Sequence, residues 1–162
     1  MAEIINPIIF DDMIKDNDFV YFEVPGEPFA KQRPRAARKG RFVTIYTPRE
    51  TKEYESKVIS YYRRVYREKK LNGNLNASIQ AIFSVPKTAK KSEIINMEDG
   101  ITPHNKKPDV DNVAKVCLDA LNGVAFEDDS SISALEITKR FGKKPMVKIF
   151  IKENNDNECN KW

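Results

Sequence analysis

Cysteine, histidine and long apolar runs are all scarce in this sequence, and each shortage excludes a class of protein. Cys117 and Cys159 are the only two cysteines in 162 residues. One lies in an apolar helical stretch and the other in a polar tail. Neither a disulfide framework nor a zinc cluster is expected, and a reducing cytoplasm is the default setting. His104 is the sole histidine; with no partner histidines it reads as a surface or loop residue before a catalytic base. No stretch reaches the roughly 18 apolar residues that a membrane span needs. The N-terminus is acidic and lacks the apolar run of a secretion signal. No internal repeat or low-complexity block is visible. The expected protein is soluble and cytoplasmic, with no membrane partner, and its length suits one domain.

What is present is charge and a usable core. Hydrophobic residues make up 40% and charged residues 32%, a balance that argues against wholesale disorder. The charge is unevenly spread. Of 28 basic and 24 acidic residues, residues 1–18 and 153–162 together hold two and eight, which leaves the body 26 against 16. A basic body fits a polyanionic partner, and equally a merely basic soluble domain.

The pattern divides the chain into an N-terminal arm of unknown role (1–18), a domain (19–152) and a flexible tail (153–162). Strands are expected at Phe19 to Val24, Arg41 to Tyr46 and Leu75 to Val85. Pro34 and Gly40 make the basic stretch from Pro28 to Gly40 a loop. A long helix follows Thr47 as cap, with Pro48 in its first turn. It runs to about Lys70 with Tyr54, Val58, Tyr61 and Val65 on one face, and Asn72-Gly73 ends it. A short helix is expected from Thr88 to Asn96 and a second main helix from Asp111 to Leu121. Ser131 to Arg140 and Met146 to Lys152 read as a hairpin around Gly142 to Pro145. The expected class is α+β, a small mixed sheet packed against two main helices.

The chemistry concentrates in Lys107-Pro108-Asp109-Val110-Asp111-Asn112-Val113-Ala114-Lys115, followed by Glu127-Asp128-Asp129. Pro108 favours an extended entry, in which Asp109 and Asp111 point to one side. Val113, Val116, Cys117, Ala120 and Leu121 form one helix face, and Asp111, Lys115 and Asp119 lie opposite at spacing four. If Val124 to Phe126 pairs as a short strand, Asp128 and Asp129 arrive near the same helix. Phosphodiester hydrolysis needs such a grouping. Hard oxygen ligands hold magnesium or manganese, and the metal activates water, often as a pair of ions about 4 Å apart. A nearby lysine stabilises the transition-state anion or holds the water. The same residues also fit a plain helix cap and an ordinary spacing-four ion pair. A calcium-binding loop counted from Asp109 would need Gly and Glu where Ala114 and Ala120 stand. The common restriction-nuclease pattern fails too, because no acid-x-Lys triplet follows Pro108-Asp109 before the tail.

Asp109-x-Asp111-Asn112 with Lys115, then Leu118-Asp119-Ala120-Leu121-Asn122-Gly123, then Asp128-Asp129, resembles the core of the RusA family of Holliday-junction resolvases, common in bacteria and prophages. Lys31-Gln32-Arg33-Pro34-Arg35 and Tyr46-Thr47-Pro48 resemble phage-type members more loosely. The resemblance implies a RusA-like fold and a homodimeric, magnesium-dependent crossover junction endodeoxyribonuclease, acting in DNA recombination and repair by paired symmetric nicks in four-way junctions. Mn2+ is expected to substitute for Mg2+. By the same resemblance the metal-binding aspartates are Asp109, Asp111 and Asp129, with the adjacent acid Asp128 as a further metal ligand. Lys115 takes the place of the family lysine important for cleavage.

Lys31, Arg33, Arg35, Arg38, Lys39 and Arg41 form a dense cluster, read either as a DNA-contacting loop or as a solvated one. Arg63, Arg64, Arg67, Lys69 and Lys70 crowd the end of the long helix, where the helix dipole alone favours cations. Lys87, Lys90 and Lys91 are a further candidate for phosphate contact. Two other functions stay open: a flap- or fork-cutting metal nuclease, and a protein that binds junctions without cutting.

Overall fold

A computed structural model describes residues 18–154. The expected arm and tail fall outside the described residues, apart from Asp18, Glu153 and Asn154. Glu153 still belongs to a strand, and its N–H donates to the Asp18 carbonyl at 2.7 Å.

Six strands and three helices are described: β1 (Phe19–Pro25), β2 (Arg35–Lys39), β3 (Phe42–Tyr46), α1 (Arg49–Tyr66), β4 (Leu75–Ser84), α2 (Lys91–Glu98), α3 (Val110–Leu121), β5 (Ile132–Gly142) and β6 (Met146–Glu153). The main sheet has the order β1-β6-β4-β5, and β2-β3 form a separate ribbon. The expected α+β class with a mixed sheet is what the chain adopts.

Alternation along β4 places Leu75, Ala77, Ile79, Ala81 and Phe83 on one buried face. Val20, Phe22, Val24, Val147, Ile149 and Ile151 continue it across β1 and β6. Onto this face pack Tyr54, Val58 and Tyr62 of α1 and Val116, Cys117, Ala120 and Leu121 of α3, in one contiguous core. The α1 stripe is thus Thr51, Tyr54, Val58 and Tyr62, a true helical repeat. The expected Val65 is 62% exposed and Tyr61 only half-buried.

Several boundaries differ from expectation; the short helix expected from Thr88 to Asn96, for one, runs Lys91–Glu98. Pro48, not Thr47, is the α1 cap residue, and it makes no side-chain cap bond. The helix stops at Tyr66 because Arg67 turns left-handed (φ 54°) and donates its N–H to the Arg63 carbonyl. Part of the expected basic loop is β-structure, since Arg35–Lys39 pairs with Phe42–Tyr46. Its alanines and basic residues carry no strong strand signal of their own, and pairing with β3 settles the conformation.

The expected terminal hairpin is also absent. β5 pairs with β4 in parallel, while β6 pairs antiparallel with both β4 and β1. Residues 143–145 therefore carry the chain across the end of β4. Gly142 makes this possible: a Cβ there would come within 2.6 Å of Ile82 Cγ2.

Candidate functional site

The two ends of α3 carry the acidic residues, and the fold treats them differently. At the N-terminal end, Asp109 is the cap residue with extended backbone (φ −67°, ψ 142°), yet its side chain makes no cap hydrogen bond. A structural cap would accept from the N–H groups of the first turn. Asp111 follows in that turn, and Asp109, Asp111 and Lys115 are all exposed. Lys115 makes no ion pair with Asp111 among the described residues. Two carboxylates and an ammonium group therefore stand free at the positive end of a helix dipole. Because Val110 is already helical, Asp109 and Asp111 are not the two ends of an extended triplet, as the sequence suggested.

The segment leading into this end is fixed from the sheet side. Lys139 of β5 donates to the carbonyls of Lys106 and Pro108, each at 2.8 Å. His104, expected as a surface or loop residue, lies in a loop but is buried. Its ring stacks on Phe83 at 4.1 Å and tilts against Phe141 at 4.7 Å, and its Nδ1 has no hydrogen-bond partner among the described residues. Burial, and then the Lys139 charge, push its pKa below the ordinary value. Two flanking phenylalanines distant in sequence account for the burial. Nothing local to residue 104 signals it, and the Lys139 contact likewise spans 31 residues.

Asp119, on the same helix, is already engaged. Lys31 binds its carboxylate and lies 3.9 Å from Glu55 of α1, while the Lys31 N–H donates to the Asn112 carbonyl at 2.9 Å. Lys31 thus fastens the base of the β2-β3 ribbon to the first turns of α3. Arg33, Arg35, Arg38 and Arg41 project from the ribbon and its flanks, all exposed.

At the C-terminal end the chain does not form the expected short strand. Residues 123–125 make a tight turn closed by a bridge between Asn122 and Phe126. Phe126 is fully buried, and the Leu71 N–H holds the Ala125 carbonyl at 2.7 Å. Asp128 caps a 3-10 turn over Asp129–Ser131, accepting from Ser130 N–H at 2.9 Å. Its hydrogen bonds with Ser130 hold its pKa below the usual carboxylate value. Asp129 is exposed beside it. Arg63, Arg67, Lys70, Gly123 and Val124, together with Glu68, line an open, mainly basic cleft at this end, and Lys70 pairs with Glu127 at 3.2 Å. The sequence alone accounted for that run of cations by the helix dipole.

These anchors separate the acids. Val113 packs with Ala81, Phe83 and Phe141 at one end of the sheet. Ala125 and Ile132 attach beside Leu71 and Leu75 at the other. Between them lies α3, whose 12 residues span about 18 Å. Among the described residues no three His, Cys, Asp or Glu side chains lie close enough to hold a metal ion. The carboxylates have the right chemistry for a hard divalent cation, but one chain alone does not bring Asp129 to Asp109 and Asp111. The buried turn at Phe126 explains why the expected return along the helix fails.

Comparison with known proteins points in one direction. The family described as Endodeoxyribonuclease RusA matches residues 25–152. A relative from Bacillus subtilis (strain 168), Uncharacterized protein YqaN, is 31% identical over 140 residues, covering 84% of this chain and 97% of its own length.

Proposed function

The chain belongs to the RusA endodeoxyribonuclease family, and from that premise we propose that it resolves four-way DNA junctions by paired nicks, in recombination and repair, in the cytoplasm. The observation that supports this most directly is the free acidic pair at the α3 N-terminus. Asp109 occupies a cap position without capping, and Asp111 and Lys115 stand exposed beside it. No other described group uses them.

In this reading Asp109, Asp111 and Asp129 supply the carboxylates for a divalent cation, Mg2+ with Mn2+ able to substitute, and Asp128 sets the turn that carries Asp129. When bound, such an ion supplies charge neutralisation at the scissile phosphate. Lys115 steadies the phosphate oxygens from one helical turn away. Arg33, Arg35, Arg38, Lys39 and Arg41 hold the backbone, while Lys31 sets the ribbon's position.

The separation of the acids within one chain favours a homodimer. Two copies arranged about a two-fold axis can set the Asp109–Asp111 end of one beside Asp129 of the partner subunit, which yields two sites for a junction of near two-fold symmetry.

Cleavage of four-way, forked, flapped and linear DNA by the full chain with Mg2+ tests the activity. Nicking is expected on the four-way substrate, and Asp111→Asn should abolish cleavage while retaining binding. Normal cutting by that variant would remove the site. Mixing Asp111→Asn with Asp129→Asn tests the cross-chain arrangement. A shared site leaves one intact centre in each mixed dimer and restores nicking, whereas sites made within single chains stay inactive after mixing. Arg33→Ala with Arg35→Ala should weaken binding and flatten its salt dependence.

A further inference from the structure

Among the described residues nothing covers a row of large apolar side chains on the β2-β3 ribbon. Phe42 is 79% exposed, Val43 64%, Ile45 73% and Tyr46 44%. Elsewhere among the described residues exposed apolar side chains are scattered singly, which is ordinary. Strand alternation sorts the ribbon into two faces. The register pairs Arg35 with Tyr46 and Ala37 with Thr44, so Phe42, Thr44 and Tyr46 share one face with Arg35 and Ala37. Phe42 and Tyr46 are four residues apart, roughly 14 Å along the strand. Between them lie only the small Thr44 and Ala37. The face is therefore a shallow saddle with an aromatic ring at each end and an arginine across from one of them.

Charge selects the occupant. Between Glu27 and Glu50 the sequence holds seven cations and no acid. A second copy docking by the same ribbon would set cations against cations. A polyanion is favoured, and the aromatics narrow the choice. Duplex DNA hides its base faces and offers a ribbon mainly phosphate and sugar. An unpaired strand offers phosphates to the arginines and base faces to the rings.

We propose that the β2-β3 ribbon is a binding site for unpaired DNA, with Phe42 and Tyr46 stacking on exposed bases while Arg35 and its basic neighbours hold the phosphates. This deepens the junction reading and rests on it, because a branch point is where unpaired bases become available. The ribbon's base lies on the first turns of α3, through the Lys31 N–H bond to Asn112. Bases gripped there lie on the Asp109–Asp111 side of the molecule.

The test uses the full chain in EDTA, so that no cutting is needed, with three probes of equal length: oligo-dT, an abasic oligonucleotide and a blunt duplex. Phe42→Ala should weaken oligo-dT binding about tenfold or more, the loss expected for one base–aromatic stack, and leave the abasic and duplex affinities unchanged. Phe42→Trp should keep the oligo-dT affinity, and its indole fluorescence should be quenched by oligo-dT but not by the abasic strand. Equal loss on all three probes, or no loss on oligo-dT, overturns the proposal. So does a change of oligomeric mass in Phe42→Ala, which would make the face a contact between copies. A chain that nicks four-way junctions but fails this test keeps its activity and loses only the ribbon's role. A chain that passes without nicking keeps the strand site and loses the junction reading.

Discussion

β3 and β4 read alike in the sequence and meet opposite fates in the fold. Both read as alternating strands, although all five β3 residues are β-branched or aromatic and β4 has only Ile79, Ile82 and Phe83 of that kind. β4 lies between β5 and β6 beneath α1 and α3, with Leu75, Ile79 and Ala81 fully buried. Among the described residues β3 pairs only with β2, and all five of its residues are exposed. Alternation therefore specifies an extended backbone, not what covers it. The flanking charge carries the rest: β4 stands between helices that bring apolar stripes, while β3 lies in a basic stretch with no acid between Glu27 and Glu50. The packed body turns its apolar surface into stability, and the ribbon keeps its own available for a ligand.

That contrast is most easily broken by substitutions of matched chemistry. Ile149→Ala, in the middle of β6 and fully buried, should cost about 2–5 kcal/mol of unfolding free energy. Phe42→Ala or Ile45→Ser on the ribbon should move stability by no more than about 0.5 kcal/mol. Urea unfolding of the full chain measures both. A ribbon variant that loses several kcal/mol would mean that β3 is covered in solution, and the division would fail.

The sequence made the body legible because each of its elements repeats its signal over two turns or more. The α3 face, the β4 alternation and the stop at Asn122-Gly123 could all be read locally, as could the acids at the start of α3. The illegible features depend on partners far along the chain. Whether β5 and β6 pair with each other or flank β4 rests on how β4 seats between them, and Gly142 only permits the crossing. The turn at Val124 to Phe126 is set by the Leu71 N–H and by burial of Phe126, so its failure to return Asp129 along α3 could not be seen in Asn-Gly-Val-Ala-Phe. His104 offered no local sign of the two rings that enclose it.

His104 gives the next smaller effect, and it sharpens the boundary between the body and the Asp109 segment. Its pKa is lowered in the fold, first by burial and then by Lys139. The unfolded chain, with an ordinary value near 6.5, takes up a proton that the folded chain resists. The stabilisation is thus complete above about pH 6.5 and is lost progressively as pH falls towards and through the folded value. Thermal unfolding midpoints should decline over that acidic window, and His104→Phe, which keeps the stack without the charge, should flatten the decline. An unaltered profile in that variant would assign the acid sensitivity to other groups and free the 104–109 segment from this anchor.

The smallest effect belongs to the residue that joins the two regions. Lys31 lies in the basic cluster by sequence but in the body by contact, held between Asp119 and Glu55. Its side chain and that of Asp119 are about a quarter exposed, so solvent screening limits the pair to roughly 0–1 kcal/mol, and Lys31→Ala should destabilise by no more than that. Its DNA signature should also differ from that of its neighbours. An exposed arginine that meets phosphate releases counterions, so Arg33→Ala or Arg35→Ala should each reduce the slope of log affinity against log salt by about 0.9 on duplex arms. Lys31 is neutralised within the protein and releases none. Its loss should lower affinity at every salt concentration, through a loosened ribbon, and leave the slope unchanged. A slope reduced as much as in the arginine variants would show Lys31 reaching phosphate in the complex, and the ion pair with Asp119 would then be a latch that DNA opens.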